Sequence, residues 1–259
     1  LVGAAMHQGY LALDDQIALD EWSDDERSAI RLYDLMGMAS DLTWNEGYGS
    51  VSDVTRMLYL EQSMANFAAS KPIDRQTPEP TGDSFLYSSG TSVLIARILQ
   101  DAIGDEALAG AFPARSLFAP IGMSSAVLET DATGTFVGSS YLSATPRDWA
   151  RLGQFLLQRG VWNGRSLLPP GYVDWMTDPH PASNGTYGRG QVWLRPPQEP
   201  AVASQTELPT GTFWASGHDG QSLAVIPQEN MVIVRMGLTP SKLGYRPALL
   251  AQAVIRAVQ

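Results

Sequence analysis

Two short runs hold side chains able to do chemistry together. The first is Phe85-Leu86-Tyr87-Ser88-Ser89-Gly90, which follows a turn-rich stretch and opens an apolar-striped segment at Thr91. The second is Trp214-Ala215-Ser216-Gly217-His218-Asp219-Gly220-Gln221-Ser222, a glycine-flanked turn that enters a β-branched run. A phenol at such a point can move protons, and the glycines let a backbone N–H come close enough to a ligand to stabilise a developing oxyanion. Each run also has a plainer reading. A tyrosine before a helix is more often a core or interface residue, and Gly217 and Gly220 equally frame a hairpin turn with His218 at its tip.

Other designs find less support. No Gly-x-Ser-x-Gly elbow occurs around Ser50, Ser88, Ser139, Ser216 or elsewhere, which argues against an α/β-hydrolase. The chain has no cysteine, so thiolate catalysis, disulfides and zinc–thiolate sites are out, and the compartment, cytoplasm or periplasm, is left undecided. His7, His180 and His218 stand apart without ligand spacing, so no metal and no other cofactor is expected. A net charge of −10 offers no basic footprint for nucleic acid, and no run reaches the roughly 20 apolar residues of a membrane span.

The elements that must position these residues follow from patterning. Leu1 to Met6 reads as buried helix closed near Gly9, and Asp24-Asp25-Glu26-Arg27 as a solvated loop or helix start. Helical spacing covers 51–60 and 91–103, the latter striped by Val93, Leu94, Ile98 and Leu99. Between them, Lys71 to Gly82 is rich in turn formers. Another helix covers 105–118, stopped by Pro120 and Gly122. Thr145-Pro146-Arg147-Asp148 supplies a cap, a first-turn proline and a first-turn acid for a helix to about Gln158. Beyond 185 the runs 187–195, 212–216, 221–226 and 231–237 read as strands, the last two a hairpin around Pro227-Gln228-Glu229-Asn230. Leu243 to Val258 closes as an amphipathic helix with Leu249, Leu250, Val254 and Ile255 on one face. Helices first, then antiparallel strands capped by a helix, predict an α+β layer structure with a helical region beside it.

Tyr87-Ser88-Ser89 resembles the Tyr-x-Asn motif of the β-lactamase and penicillin-binding protein superfamily, with serine in the asparagine position, and His218-Asp219-Gly220 resembles its Lys-Thr-Gly strand motif. Leu117-Phe118-Ala119-Pro120-Ile121-Gly122-Met123 is similar to a recurrent family segment. Residues 143–153 with Gly160-Val161-Trp162-Asn163-Gly164 resemble the 6-aminohexanoate-dimer hydrolase and esterase branch. The resemblance implies a β-lactamase/transpeptidase-like fold, an antiparallel sheet flanked by helices with a mostly helical subdomain. It divides the chain into 1–30 with 140–259, and 31–139 carrying the tyrosine motif.

The resemblance also implies a serine hydrolase that cleaves an ester or amide through an acyl-enzyme, with a small-molecule substrate. Tyr87 is its catalytic proton carrier and the Gln221 N–H its oxyanion donor, while Ser89, His218, Gly220 and Trp214 bind substrate. The family's Ser-x-x-Lys is absent, because Lys71 and Lys242 follow Ala68 and Thr239 by three residues. The nucleophile is therefore expected just upstream of Leu1, on an N-terminal segment of the protein or on a separate chain, and a homodimer stays open. A catalytically inactive ligand-binding domain of the same fold is the alternative. Serine for the amide and histidine for the lysine favour ester or short-amide substrates over anionic β-lactams. Trp44 and Tyr141 join Trp214 as candidates to line an acyl site, although large aromatics are more often core.

Overall fold

The structure, a computed structural model, describes residues 1–74, 84–196 and 208–259. Local chemistry sets most element boundaries. Helix α1 (Val2–His7) stops where Gly9 turns left-handed, and the N–H groups of Gly9 and Tyr10 donate to the carbonyls of Met6 and Ala5 at 3.1 and 2.9 Å, closing its last turn. After α2 (Leu32–Met36), α3 (Asp53–Leu60) begins where the side chains of Ser52 and Thr55 satisfy each other's backbone N–H groups. Next come α4 (Met64–Ala69) and α5 (Ser89–Ile103), the latter capped by Ser88 and ended by Gly104. The helix expected over 105–118 forms in two parts, α6 (Glu106–Pro113) and a wider turn at Ala114–Phe118. Helix α7 (Pro146–Leu157) starts as its sequence predicts, with Thr145 accepting from the Asp148 N–H.

Strands β1 (Val127–Leu128) and β2 (Leu142–Ser143) pair with each other, as do β3 (Val161–Trp162) and β4 (Arg165–Ser166). Helix α8 (Tyr172–Thr177) follows. The main sheet is antiparallel in the order β5 (Phe213–Ser216), β6 (Ser222–Ile226), β7 (Met231–Arg235), with Trp214 opposite Ala224 and Ala224 opposite Ile233. Helix α9 (Pro247–Val258) closes the chain.

Because side chains alternate across a strand, the two faces of this sheet carry different cores. Phe213 and Val225 face a cluster that includes Phe155 of α7, whereas Trp214, Ala224 and Ile226 pack with Ala251 and Ile255 of α9. Every residue of β6 is buried, as a central strand between two helix layers requires. A further core gathers Trp22, Leu32, Leu35, Val54, Met57 and Leu94 from α2, α3, α5 and the preceding loop. The architecture is α+β, helices around an antiparallel sheet.

Several sequence expectations are corrected. Residues 187–195 form no regular strand, only isolated bridges such as Tyr187 to Trp193 and Trp193 to Trp214. The cause is close packing on α8: a Cβ on Gly188 or Gly190 would lie 2.3 or 2.1 Å from atoms of Met176, and Gln191 turns left-handed. Helix α9 starts at Pro247, not Leu243, and buries Ala248, Ala251 and Ile255 while Leu249 stays exposed. Small side chains let it approach the sheet more closely than leucines would. The short helices α2, α4 and α8 have too few turns to show a period. Of the turn-rich stretch at 71–82, residues 75–82 lie outside the described residues.

The contact of α7 with the sheet rests on Gly153, where a Cβ would stand 2.5 Å from Val232 Cγ1 and 2.8 Å from Leu223 Cδ1. Gly153→Val should therefore lower unfolding stability by about 1–3 kcal/mol through overpacking, read as a lower urea midpoint at unchanged slope.

Candidate active site

The N-terminus of α5 and the turn after β5 face one another. Ser88 Oγ accepts from the Thr91 N–H at 3.1 Å, so helix starts at Ser89 and Tyr87 is left on the entering chain. The Tyr87 ring packs 5.1 Å from Trp193 and 6.1 Å from Tyr187, with Phe85 against the same pair. Trp193 exchanges backbone hydrogen bonds with Trp214 at 2.9 and 2.7 Å, so the wall behind Tyr87 is tied to β5. Thus Tyr87 is anchored to the strand that leads into the glycine turn.

That turn is held from behind. The Gly217 N–H donates to the Gln221 carbonyl at 2.8 Å, while Asp219 and Gly220 are left-handed at φ +54° and +80°. Arg235 Nη1 donates to the carbonyls of Gly220 and Gly237 at 2.9 and 2.8 Å, Nη2 donates to Thr239 Oγ1, and the guanidinium stacks on Tyr245. A Cβ on Gly220 would stand 2.9 Å from the Tyr245 ring, so glycine is required there twice over. Among the described residues the Gln221 N–H reaches only the His218 carbonyl, at 3.5 Å, a long contact that leaves most of its donor capacity free.

Two residues not singled out from sequence close the site. Glu46 accepts from the Ser89 N–H at 3.0 Å, from Ser89 Oγ at 2.6 Å and from Trp44 Nε1 at 2.6 Å. Tyr48 lies with its ring 4.6 Å from the His218 ring and interacts with the Ser89 side chain, linking the helix start and the turn. Both sit in Trp44-Asn45-Glu46-Gly47-Tyr48-Gly49, a glycine-spaced polar loop with no core period; that composition was the available signal.

Of the residues expected from sequence, Ser89 is held by Glu46, His218 packs on Tyr48 of the same loop, Tyr87 lies against Trp193 and Tyr187, and Gly220 and Gln221 lie in the glycine turn. Trp214 lies apart: it is 2% exposed and faces α9, because Phe213 and Trp214 point to opposite sides of the sheet and both sides are core. Trp44 lies against Gly90, where a Cβ would be 2.6 Å from its ring. Tyr141 interacts with Tyr59, and burial raises its pKa. His180 is buried over Gly37, and burial lowers its pKa. Among the described residues no three His, Asp or Glu side chains gather as a metal site requires, and no helix is long and apolar enough to cross a membrane.

The Beta-lactamase family model matches residues 1–252. No curated protein matches the chain in sequence. Among solved structures, the chain is similar to a Bacillus anthracis protein assigned as a 6-aminohexanoate-dimer hydrolase, at 22% identity and TM-score 0.74 over 99% of this chain and 68% of that one. It is also similar to a penicillin-binding protein from Bacillus halodurans, at 15% identity and TM-score 0.67, covering 100% and 82%. A third likeness is to EstCE1, a hydrolase with promiscuous acyltransferase activity, at 16% identity and TM-score 0.68, covering 92% and 76%. At these identities the likeness is one of fold.

Burial raises the phenols of this region. Tyr48 is pushed up to about 12 by desolvation, with Glu46 and Tyr59 adding to the shift, and Tyr87 is raised further by burial, then by Glu46 and Tyr48. Tyr187, in the wall behind Tyr87, and Tyr172, buried elsewhere, are raised by burial too. These groups keep their protons in the folded protein after the unfolded chain begins to ionise near pH 10, so their contribution is whole below about pH 10 and is lost as pH rises through the folded-state values. The urea midpoint should hold up to about pH 9.5 and fall above it. In Tyr87→Phe the fall should be shallower; equal slopes would mean that Tyr87 titrates as a free phenol.

Proposed function

The chain belongs to the Beta-lactamase family, and from that premise we propose that it is a serine hydrolase cleaving an ester or short amide through an acyl-enzyme intermediate. One observation supports this reading: a single loop links the two motifs, since Glu46 accepts from Ser89 at the start of α5 and Tyr48 packs 4.6 Å from His218 in the glycine turn. Two of its structural neighbours, a hydrolase with promiscuous acyltransferase activity and a protein assigned as a 6-aminohexanoate-dimer hydrolase, agree in reaction class.

In this reading the nucleophile is a serine of a Ser-x-x-Lys segment upstream of Leu1, since neither Lys71 nor Lys242 belongs to such a motif. The serine oxygen bonds to the substrate carbonyl carbon and its proton passes to the lysine–tyrosine pair. The carbonyl oxygen becomes an oxyanion facing the Gln221 N–H and the serine's own N–H. Collapse breaks the bond to the leaving group, which takes a proton from Tyr87, and water then repeats the sequence to free the acid. Buried and beside Glu46, Tyr87 holds its proton tightly on its own. It suits donation to a leaving group, and it serves as base only once the lysine cation is beside it.

Native gene product should turn over p-nitrophenyl butyrate and take one fluorophosphonate, on a serine upstream of Leu1. Tyr87→Phe should lose about 10²–10⁴ in kcat. Gln221→Pro, which deletes one N–H, should lose about 10²–10³ with the fold retained by circular dichroism. An adduct within the 259 residues, or full turnover in Tyr87→Phe, would overturn this mechanism; no adduct and no turnover would make the protein a ligand-binding member of the family.

A further inference from the structure

We propose that Glu46 is a specificity-determining residue: its carboxylate occupies the donors at the start of α5 and turns the site against substrates that carry a carboxylate near the scissile bond, selecting uncharged esters and amides. The inference rests on the hydrolase reading for the word substrate, but its physical content is about binding.

The start of a 15-residue helix presents free N–H groups and the positive end of its dipole, a place that attracts anions. Here the protein supplies its own anion. One oxygen of Glu46 accepts from Ser89 Oγ and the other from the Ser89 N–H and Trp44 Nε1, so both Ser89 donors that an incoming carboxylate would use are already taken. Trp44 is itself held against Gly90, which fixes the third donor. This anchoring gives the carboxylate one position.

Among the described residues no lysine, arginine or histidine forms an ion pair with Glu46, and its field contributes to the raised phenols of both Tyr48 and Tyr87. Across the site His218 has its side chain 58% exposed with Asp219 at 3.7 Å, and the Arg235 guanidinium behind the turn is committed to the Gly220 and Gly237 carbonyls. Among the described residues, an entering carboxylate meets the Glu46 carboxylate and no fixed cationic partner. An uncharged ester or amide meets phenol donors and the aromatic wall of Phe85 and Trp193 without that repulsion.

The test compares two amides of similar shape, N-butylbutanamide and N-butylsuccinamate, by ligand-observed NMR titration, alongside kcat/KM for p-nitrophenyl butyrate and mono-p-nitrophenyl glutarate. The wild type should prefer the uncharged member of each pair by about tenfold or more. Glu46→Gln should bring the ratio to within about threefold, and Glu46→Asp should keep most of it. If Glu46→Gln does not fold, wild type in 1 M salt, where the screening length is about 3 Å, should show the same narrowing. Equal binding of the two amides by wild type, an unchanged ratio in Glu46→Gln, or no binding of either amide would overturn the proposal. Amide preference that switches with Glu46, in a protein that leaves both esters untouched, would keep the charge filter and remove the hydrolase reading.

Discussion

A helix buried on nearly every side must find partners for the donors at its N-terminus, and this is the constraint around which the site is built. Eight consecutive residues of α5, Ser89 to Ala96, are buried, so its first N–H groups cannot turn to bulk water. Ser88 satisfies the Thr91 N–H and Glu46 satisfies that of Ser89. A cap of this kind is worth about 1 kcal/mol, and a buried donor left unpaired costs about 1–3 kcal/mol. Meeting that requirement draws the loop at 44–49 over the helix start. The same loop brings Tyr48 to Ser89 and His218.

The opposite wall depends on sheet geometry. Phe213 and Trp214 alternate between two buried faces, so β5 cannot offer either indole or phenyl ring to a ligand; what reaches the site is its C-terminal turn. Arg235, one strand away on β7, reaches back to the Gly220 carbonyl and sets the height of that turn. With that support from a neighbouring strand and the Gly217–Gln221 hydrogen bond, the turn holds while the Gln221 N–H makes only a long 3.5 Å contact with the His218 carbonyl. Tyr87 is coupled to the same sheet through Trp193 and its backbone pairing with Trp214. Packing and proton chemistry therefore share one set of contacts.

Elements with a strong local signal were readable in the chain. Thr145-Pro146-Arg147-Asp148 starts α7, Ser88 precedes α5, and the turn at Pro227–Asn230 joins β6 to β7, each because a side chain or a restricted φ acts on its immediate neighbours. Residues 187–195 misled, since their β-branched and aromatic content is also what a tight fold against α8 uses, and the decisive partner, Met176, sits on a helix of too few turns to show a period. Helix α9 misled in the same way. Ile255 of the expected face is buried with Trp214 and Ile226, but Ala251 packs beside it and Leu249 stays exposed.

What the sequence by itself determined is the α+β order, the family resemblance and the residue types of Tyr87, Ser89, His218, Gly220 and Gln221, since motif spacing and capping act within a few residues. Only the tertiary structure decided that Trp214 is core, that Glu46 lies 43 positions before Ser89 in sequence yet on it in space, and that Tyr48 meets His218. Such pairings are set by which faces a core must bury and by which donors it must satisfy. A linear pattern carries neither until the chain has packed.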